Sequence, residues 1–110
     1  MKAASEYDRL AIERLIQYMH ANCTEPFDAR KYAGIIFFSE SKLNKVFKHY
    51  VGMGPGTYFR RLRIQKAMEL RRQEGSSWTE VSHLIGYADL PSFSKAFKKI
   101  TGHPPNAYRL

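Results

Sequence analysis

Apolar residues recur at helical spacing through most of the chain, and no run alternates in the manner of a strand. Leu10, Ile12, Leu15, Ile16 and Met19 form one stripe, predicting a first helix over about residues 7–22. Turn signals then divide the chain at Thr24-Glu25-Pro26, Gly52-Met53-Gly54-Pro55-Gly56, Glu74-Gly75-Ser76-Ser77 and Gly102-His103-Pro104-Pro105. Between them, Asp28 is placed to cap a short helix through Ala33 and Ser39 to cap one from Glu40 to Tyr50. Pro55 suits a helical first turn, and the helix it opens runs to Glu74, roughly 30 Å at about 1.5 Å per residue. Ser77 with Glu80 three positions later has the capping-box pattern, and Asp89 or Pro91 opens a last helix ending near Ile100. The pattern predicts an all-α chain of about seven helices.

An internal repeat organises these elements. Shifted by 50, Lys45, Phe47, Lys48, Gly52, Pro55 and Tyr58 fall on Lys95, Phe97, Lys98, Gly102, Pro105 and Tyr108, six identities in 18 gap-free positions. Leu43, Val46, Phe47 and Tyr50 have the same i, i+3, i+4, i+7 spacing as Phe93, Ala96, Phe97 and Ile100, one buried face on each helix. The opposite faces carry Ser41, Asn44, Lys45 and Lys48 in the first copy and Ser92, Lys95, Lys98 and Lys99 in the second. Each such helix follows a short helix and a tight turn, which is the helix-turn-helix arrangement. The expected organisation is a first helix-turn-helix subdomain over residues 6–52, a linking helix over 53–75 and a second subdomain over 76–110.

Charge sharpens this picture. The 110 residues carry a net +8, but residues 1–40 are slightly acidic at −1 and residues 73–89 stand at −3. The excess lies in residues 41–72, at +8, and residues 90–110, at +4. Two basic blocks around two related helices suggest a two-site footprint on a polyanion, with a solvated basic face as the plainer reading of Arg60, Arg61, Arg71 and Arg72. No run approaches the roughly 20 apolar residues of a membrane span. The first residues lack the apolar stretch of a signal peptide, and the single cysteine, Cys23, fits a reducing cytoplasm.

The second repeat, Trp78-Thr79-Glu80-Val81-Ser82-His83-Leu84-Ile85-Gly86-Tyr87-Ala88-Asp89-Leu90-Pro91-Ser92-Phe93-Ser94-Lys95-Ala96-Phe97-Lys98-Lys99, resembles the DNA-binding region of the AraC/XylS family of bacterial transcription regulators. The segment Gly102-x-x-Pro105-x-x-Tyr108-Arg109 continues the match. Upstream, Ser39-x-x-x-Leu43-x-x-x-Phe47-Lys48, then Gly52-x-x-Pro55-x-x-Tyr58 and Arg63-Ile64-x-x-Ala67, match its first half. The resemblance covers about residues 10–109 and implies two helix-turn-helix subdomains joined by a long central helix. Some residues depart from the family pattern. Ser82 stands in place of a small Ala, Trp78 in place of an aliphatic core residue, and Gly54 in place of a Ser or Thr cap. Pro91 stands where the second reading helix often starts with a polar residue, so any base contact there is apolar or absent. Phe37 occupies a turn position that is usually polar or Gly; local packing beside Ile36 and Phe38 is the expectation, and contact with another domain or a dimer partner the alternative.

By this reading the chain is a sequence-specific binder of double-stranded DNA, with reading helices in adjacent major grooves. Ser41, Asn44 and Lys45 are the base-reading candidates on the first helix and Leu90, Pro91, Ser92 and Lys95 on the second. Asn is suited to adenine and Lys to guanine O6/N7. Lys48, Lys98 and Lys99, then Arg30, Lys42 and Arg61, are phosphate candidates, which position without specifying. The resemblance further implies activation through RNA polymerase and, in longer members, an N-terminal effector-binding or dimerisation domain. The chain accordingly reads as a C-terminal fragment, with Met1–Ser5 from a linker, rather than a short regulator. No cofactor or metal is expected. His20, His49, His83 and His103 are scattered, His20-x-x-Cys23 supplies only two ligands, and the Gly52–Gly56 turn reads as structural rather than a phosphate cradle, so an enzyme is not expected. The rival reading is a helical adaptor for an acidic protein or RNA surface, although the aromatic rings fall on core faces rather than forming a stacking platform.

Overall fold

The structure, a computed structural model, describes residues 5–108. Met1–Ala4 and Arg109, the end of the family-like match, lie outside the described residues. Among the described residues the fold is all-helical: α1 (Glu6–Ala21), α2 (Ala29–Ile35), α3 (Glu40–Val51), α4 (Pro55–Glu74), α5 (Trp78–Ile85), α6 (Leu90–Thr101) and a closing 3-10 turn, Pro105–Ala107. Local side-chain chemistry sets the starts. Ser5 and Asp8 form a reciprocal capping box that begins α1 at Glu6, and Ser77 with Glu80 does the same for α5. Asp28, Ser39 and Asp89 each accept the backbone N–H three residues on, which satisfies donors that a helix start leaves unpaired. Gly54 offers α4 no side chain, and its carbonyl accepts from the Tyr58 N–H.

The chain divides into two compact units. The first comprises residues up to Asn22 together with Phe27–Phe59; the second comprises Cys23–Pro26 and the chain from Arg60 onward. In the first unit, Ile12, Leu15 and Met19 of α1 are buried with Tyr32 of α2, Leu43, Val46 and Phe47 of α3, and Phe59. Phe27, Tyr32 and Phe59 add a cluster of tilted and edge-on rings. In the second, Ile64 and Ala67 of α4 pack with Trp78, Val81 and Ile85 of α5 and with Phe93 and Phe97 of α6. Trp78 thus fills the core in place of an aliphatic residue, its ring 5.4 Å from that of Phe97. The buried Ser82 hydroxyl donates to the Thr79 carbonyl at 2.7 Å, so the change from Ala leaves no unpaired polar group.

The repeat is reproduced in three dimensions within each unit. α3 ends on Gly52 at φ 88° and α6 on Gly102 at φ 87°, and each donates its N–H to a lysine carbonyl, Lys48 and Lys98 respectively. Each glycine takes the left-handed conformation that a side chain disfavours. Tyr58 packs edge-on to Phe47 at 5.6 Å, and Tyr108 edge-on to Phe97 at 5.1 Å. Pro55 opens α4 and Pro105 opens the 3-10 turn.

Phe37 departs from the expectation of local packing. Ile36 and Phe38 are buried, whereas Phe37 is 88% exposed at φ 60°. Its N–H donates to the Gly34 carbonyl, and that of Phe38 to Ala33, so the turn closes with the intervening ring directed outward. Tyr7, Leu10, Ala11, Arg14, Ile35 and Ile36 line a shallow cleft beside it, and Tyr7 and Leu10 are themselves largely exposed.

Gly86, which ends α5 at φ 104°, has a second constraint. A Cβ there would lie 2.4 Å from the Thr24 carbonyl oxygen, whereas nothing lies within 4 Å of the corresponding position at Gly102. Gly102→Ala should therefore cost about 1–2 kcal/mol, the left-handed backbone alone. Gly86→Ala should cost about 3 kcal/mol or more, because overpacking against backbone adds to it. Urea unfolding of the two variants measures the difference; equal losses would show that the loop at Thr24 yields freely.

Candidate nucleic-acid interface

Burial fixes how α3 and α6 face solvent. With about 100° between successive residues, burying Leu43, Val46 and Phe47 turns Ser41, Asn44, Lys45 and Lys48 onto the opposite face, and all four are exposed. On α6, burying Phe93 and Phe97 leaves Pro91, Ser92, Lys95, Lys98 and Lys99 exposed. Each helix therefore presents one polar, cationic strip within its own unit. Leu90, at the start of α6, is half-buried and packs against the second core, so its side chain is shared between anchoring and surface.

The phosphate candidates fall into different settings. Lys48, Lys98 and Lys99 extend the exposed strips, and Arg30 on α2 and Arg61 on α4 are exposed on other elements. Lys42 turns back on its own unit: its Nζ lies 3.3 Å from the Asp8 carboxylate and 4.5 Å from the centre of the Phe38 ring. Two further cations of the basic block serve the fold. Arg71 donates to the Ser76 carbonyl at 2.7 Å and lies over the Trp78 ring. Arg63, which the sequence places only within a spaced match, donates to the Ile85 carbonyl at 2.7 Å. The sequence hint for both was their position on α4 close to buried residues, Ile64 and Ala67, rather than on a reading helix.

The remaining titratable groups lie in separate settings. His20 Nε2 lies 2.9 Å from the Tyr58 hydroxyl, whose pKa burial raises. Cys23 is buried as a free thiol, and no cluster of metal-ligating side chains occurs among the described residues. Asp89, at the start of α6, is held below the ordinary carboxylate pKa by the backbone N–H and hydroxyl of Ser92. Among the described residues no helix is long and apolar enough to cross a membrane.

A family model described as a helix-turn-helix domain matches residues 32–110. The chain is similar to the HTH-type transcriptional regulator GbdR of Pseudomonas aeruginosa, 31% identical over 98 residues, covering 89% of this chain and 27% of that protein. It is similar also to the HTH-type transcriptional activator RhaR of Pectobacterium atrosepticum, 33% identical over 102 residues, covering 93% and 36%. The chain thus spans about a third of the length of these curated relatives. Among solved structures, a transcriptional regulator from Chromobacterium violaceum with an AraC-type DNA-binding domain matches at a TM-score of 0.82 and 25% identity, covering 90% of this chain and 88% of that one. The DNA-binding domain of AdpA, solved with a target DNA, shares the fold at a TM-score of 0.81 and 20% identity, covering 89% and 88%.

The Asp89 cap gives α6 a pH dependence with a definite sign. A carboxyl whose folded pKa is lowered adds stability that is fully present above its unfolded value and fades as pH falls through the folded one. Protection of the first-turn amides of α6 should therefore fall on acidification below about pH 4. Asp89→Asn, which retains an accepting oxygen, should flatten that dependence. Hydrogen exchange against pH checks this, and an unchanged profile in the Asn variant would assign the effect elsewhere.

Proposed function

The chain belongs to the AraC-type helix-turn-helix family of transcription regulators and is a DNA-binding domain of that kind, and from this premise we propose that α3 and α6 are its two reading helices, placed in successive major grooves of one duplex. The exposed lysines of the repeat carry this reading. Of the six repeated identities, Phe, Gly, Pro and Tyr serve packing and caps in both units. Lys45 with Lys95 and Lys48 with Lys98 have exposed side chains, so packing does not account for their recurrence. On this reading one chain engages about two half-sites.

Within this reading Ser41, Asn44 and Lys45 read bases from α3, and Pro91, Ser92 and Lys95 from α6, with Leu90 setting the helix start and adding at most an apolar contact. Lys48, Lys98 and Lys99 meet phosphates, with Arg30 and Arg61 as outlying contacts; Lys42 joins them only by leaving Asp8. The subdomain limits near residues 6–52, 53–75 and 76–110 follow the same division of labour. As part of a longer bacterial regulator in the cytoplasm, the domain activates transcription through RNA polymerase. RhaR, which it resembles, is a transcriptional activator. The exposed strip of Tyr7, Leu10 and Phe37 suits contact with the companion effector-binding domain or a dimer partner.

Selection of binding sites from random duplex DNA by the purified chain tests the core of this reading. The expected result is a split motif with two half-sites about one helical turn apart. Asn44→Ala and Lys95→Ala should each relax preference at one base step, costing about 1–3 kcal/mol. Lys98→Ala should weaken all sites alike and reduce the salt slope by about one unit. An unchanged motif in both base-reading variants would show that other faces read the DNA; no enrichment with the wild-type chain, with binding to acidic protein or RNA instead, would favour a helical adaptor.

A further inference from the structure

The turn between α5 and α6 is held from below by one side chain of α4. Arg63 Nη2 donates to the carbonyl of Ile85, the last residue of α5, at 2.7 Å. That carbonyl is among the acceptors a helix end leaves without an internal partner, and the helix dipole adds to its attraction for a cation. The same guanidinium lies 4.6 Å from the centre of the Tyr87 ring. Tyr87 in turn packs edge-on to Phe93 of α6 at 5.5 Å, and Phe93 is wholly buried. Between the two contacts sits Gly86, where a Cβ would come within 2.6 Å of Nη2. One planar group thus bridges the end of α5, the turn and, through Tyr87 and Phe93, the start of α6.

We propose that Arg63 is a positioning residue for DNA recognition: it fixes the α5–α6 turn and so sets the presentation of α6, rather than contacting phosphate as its place in the most basic block suggests. The inference rests on the reading of α6 as a recognition helix. The guanidinium is suited to the task because one edge donates to the carbonyl while its face lies on the ring; the Lys ammonium, a point charge, cannot do both at once. The motif Gly86-Tyr87 and the cation 23 residues upstream of Gly86 are therefore parts of one device.

The test uses the whole chain with Arg63→Lys, Arg63→Ala and, as a second route to the same device, Tyr87→Leu. In the free proteins, hydrogen exchange at the Gly86 and Tyr87 amides, bonded to the His83 and Ser82 carbonyls, should rise about tenfold or more, with the α3 amides unchanged. On DNA selected by the wild-type chain, all three variants should lose about tenfold in affinity and relax preference only in the half of the site that Lys95→Ala identifies. The salt slope should stay as in the wild type, since no phosphate contact is lost. A phosphate contact predicts the opposite: full retention in Arg63→Lys, a slope lower by about one unit in Arg63→Ala, and no change in exchange, and that result would overturn the proposal. Exchange is read without DNA, so failure of the recognition reading alone leaves the raised exchange in place, whereas unchanged exchange removes the positioning role whatever the DNA result.

Discussion

Everything that α3 and α6 present to solvent depends on one buried ring in each. Phe47 and Phe97 have no exposed surface, and each is met edge-on by a tyrosine from the segment that follows its helix. A helix is free to rotate about its axis until such a side chain is buried, and a rotation of one residue, about 100°, would carry every polar side chain to a new face. Burying a ring of this size is worth about 1.5–3 kcal/mol, and leaving it exposed forfeits that. The polar strips are consequently fixed by what lies beneath them. The left-handed glycines at the two helix ends complete the constraint, since they turn the chain so that Tyr58 and Tyr108 can reach back to the rings.

A net charge of +8 invites the view that every lysine and arginine in the basic blocks meets DNA. The structure divides them. Arg63 and Arg71 donate to backbone carbonyls and lie against aromatic rings, and Lys42 pairs with the nearly buried Asp8. Each of these cations already has an internal partner, so moving it to phosphate would strand a polar group within the fold. Lys45, Lys48, Lys95, Lys98 and Lys99 project from α3 and α6 instead. The composition therefore overstates how many of these cations are available to a polyanion.

How much of this is legible in the sequence follows from the range of each interaction. The starts at Ser39, Pro55, Ser77 and Asp89 rest on groups within four residues, and local spacing reveals them. The buried faces of α3 and α6 are legible for a similar reason, because period alone identifies a helix face and the repeat shows it twice. Phe37 is not. Flanked by Ile36 and Phe38 it looks like part of an apolar run, and only the left-handed backbone of the turn sends its ring outward. Nor is Arg63, whose partner is a carbonyl 22 residues away that carries no sequence mark. Leu90 falls between these cases. Its register suits the recognition strip, but its side chain also closes the second core.

The two copies of the repeat differ on their exposed faces. Under the 50-residue shift the exposed lysines coincide, but Ser41 falls on Pro91, Lys42 on Ser92 and Asn44 on the half-buried Ser94. Positions that hold a helix on the DNA backbone can be shared between copies, because phosphates are alike at every step. Positions that distinguish bases cannot be shared unless both half-sites have the same sequence. Asn44, with an amide suited to adenine, meets no amide on α6, and Ser41 meets the apolar Pro91 in the first turn of α6. On the proposed reading, a repeat that retains its lysines and rings while Ser41, Lys42 and Asn44 diverge from Pro91, Ser92 and Ser94 would favour two unlike half-sites.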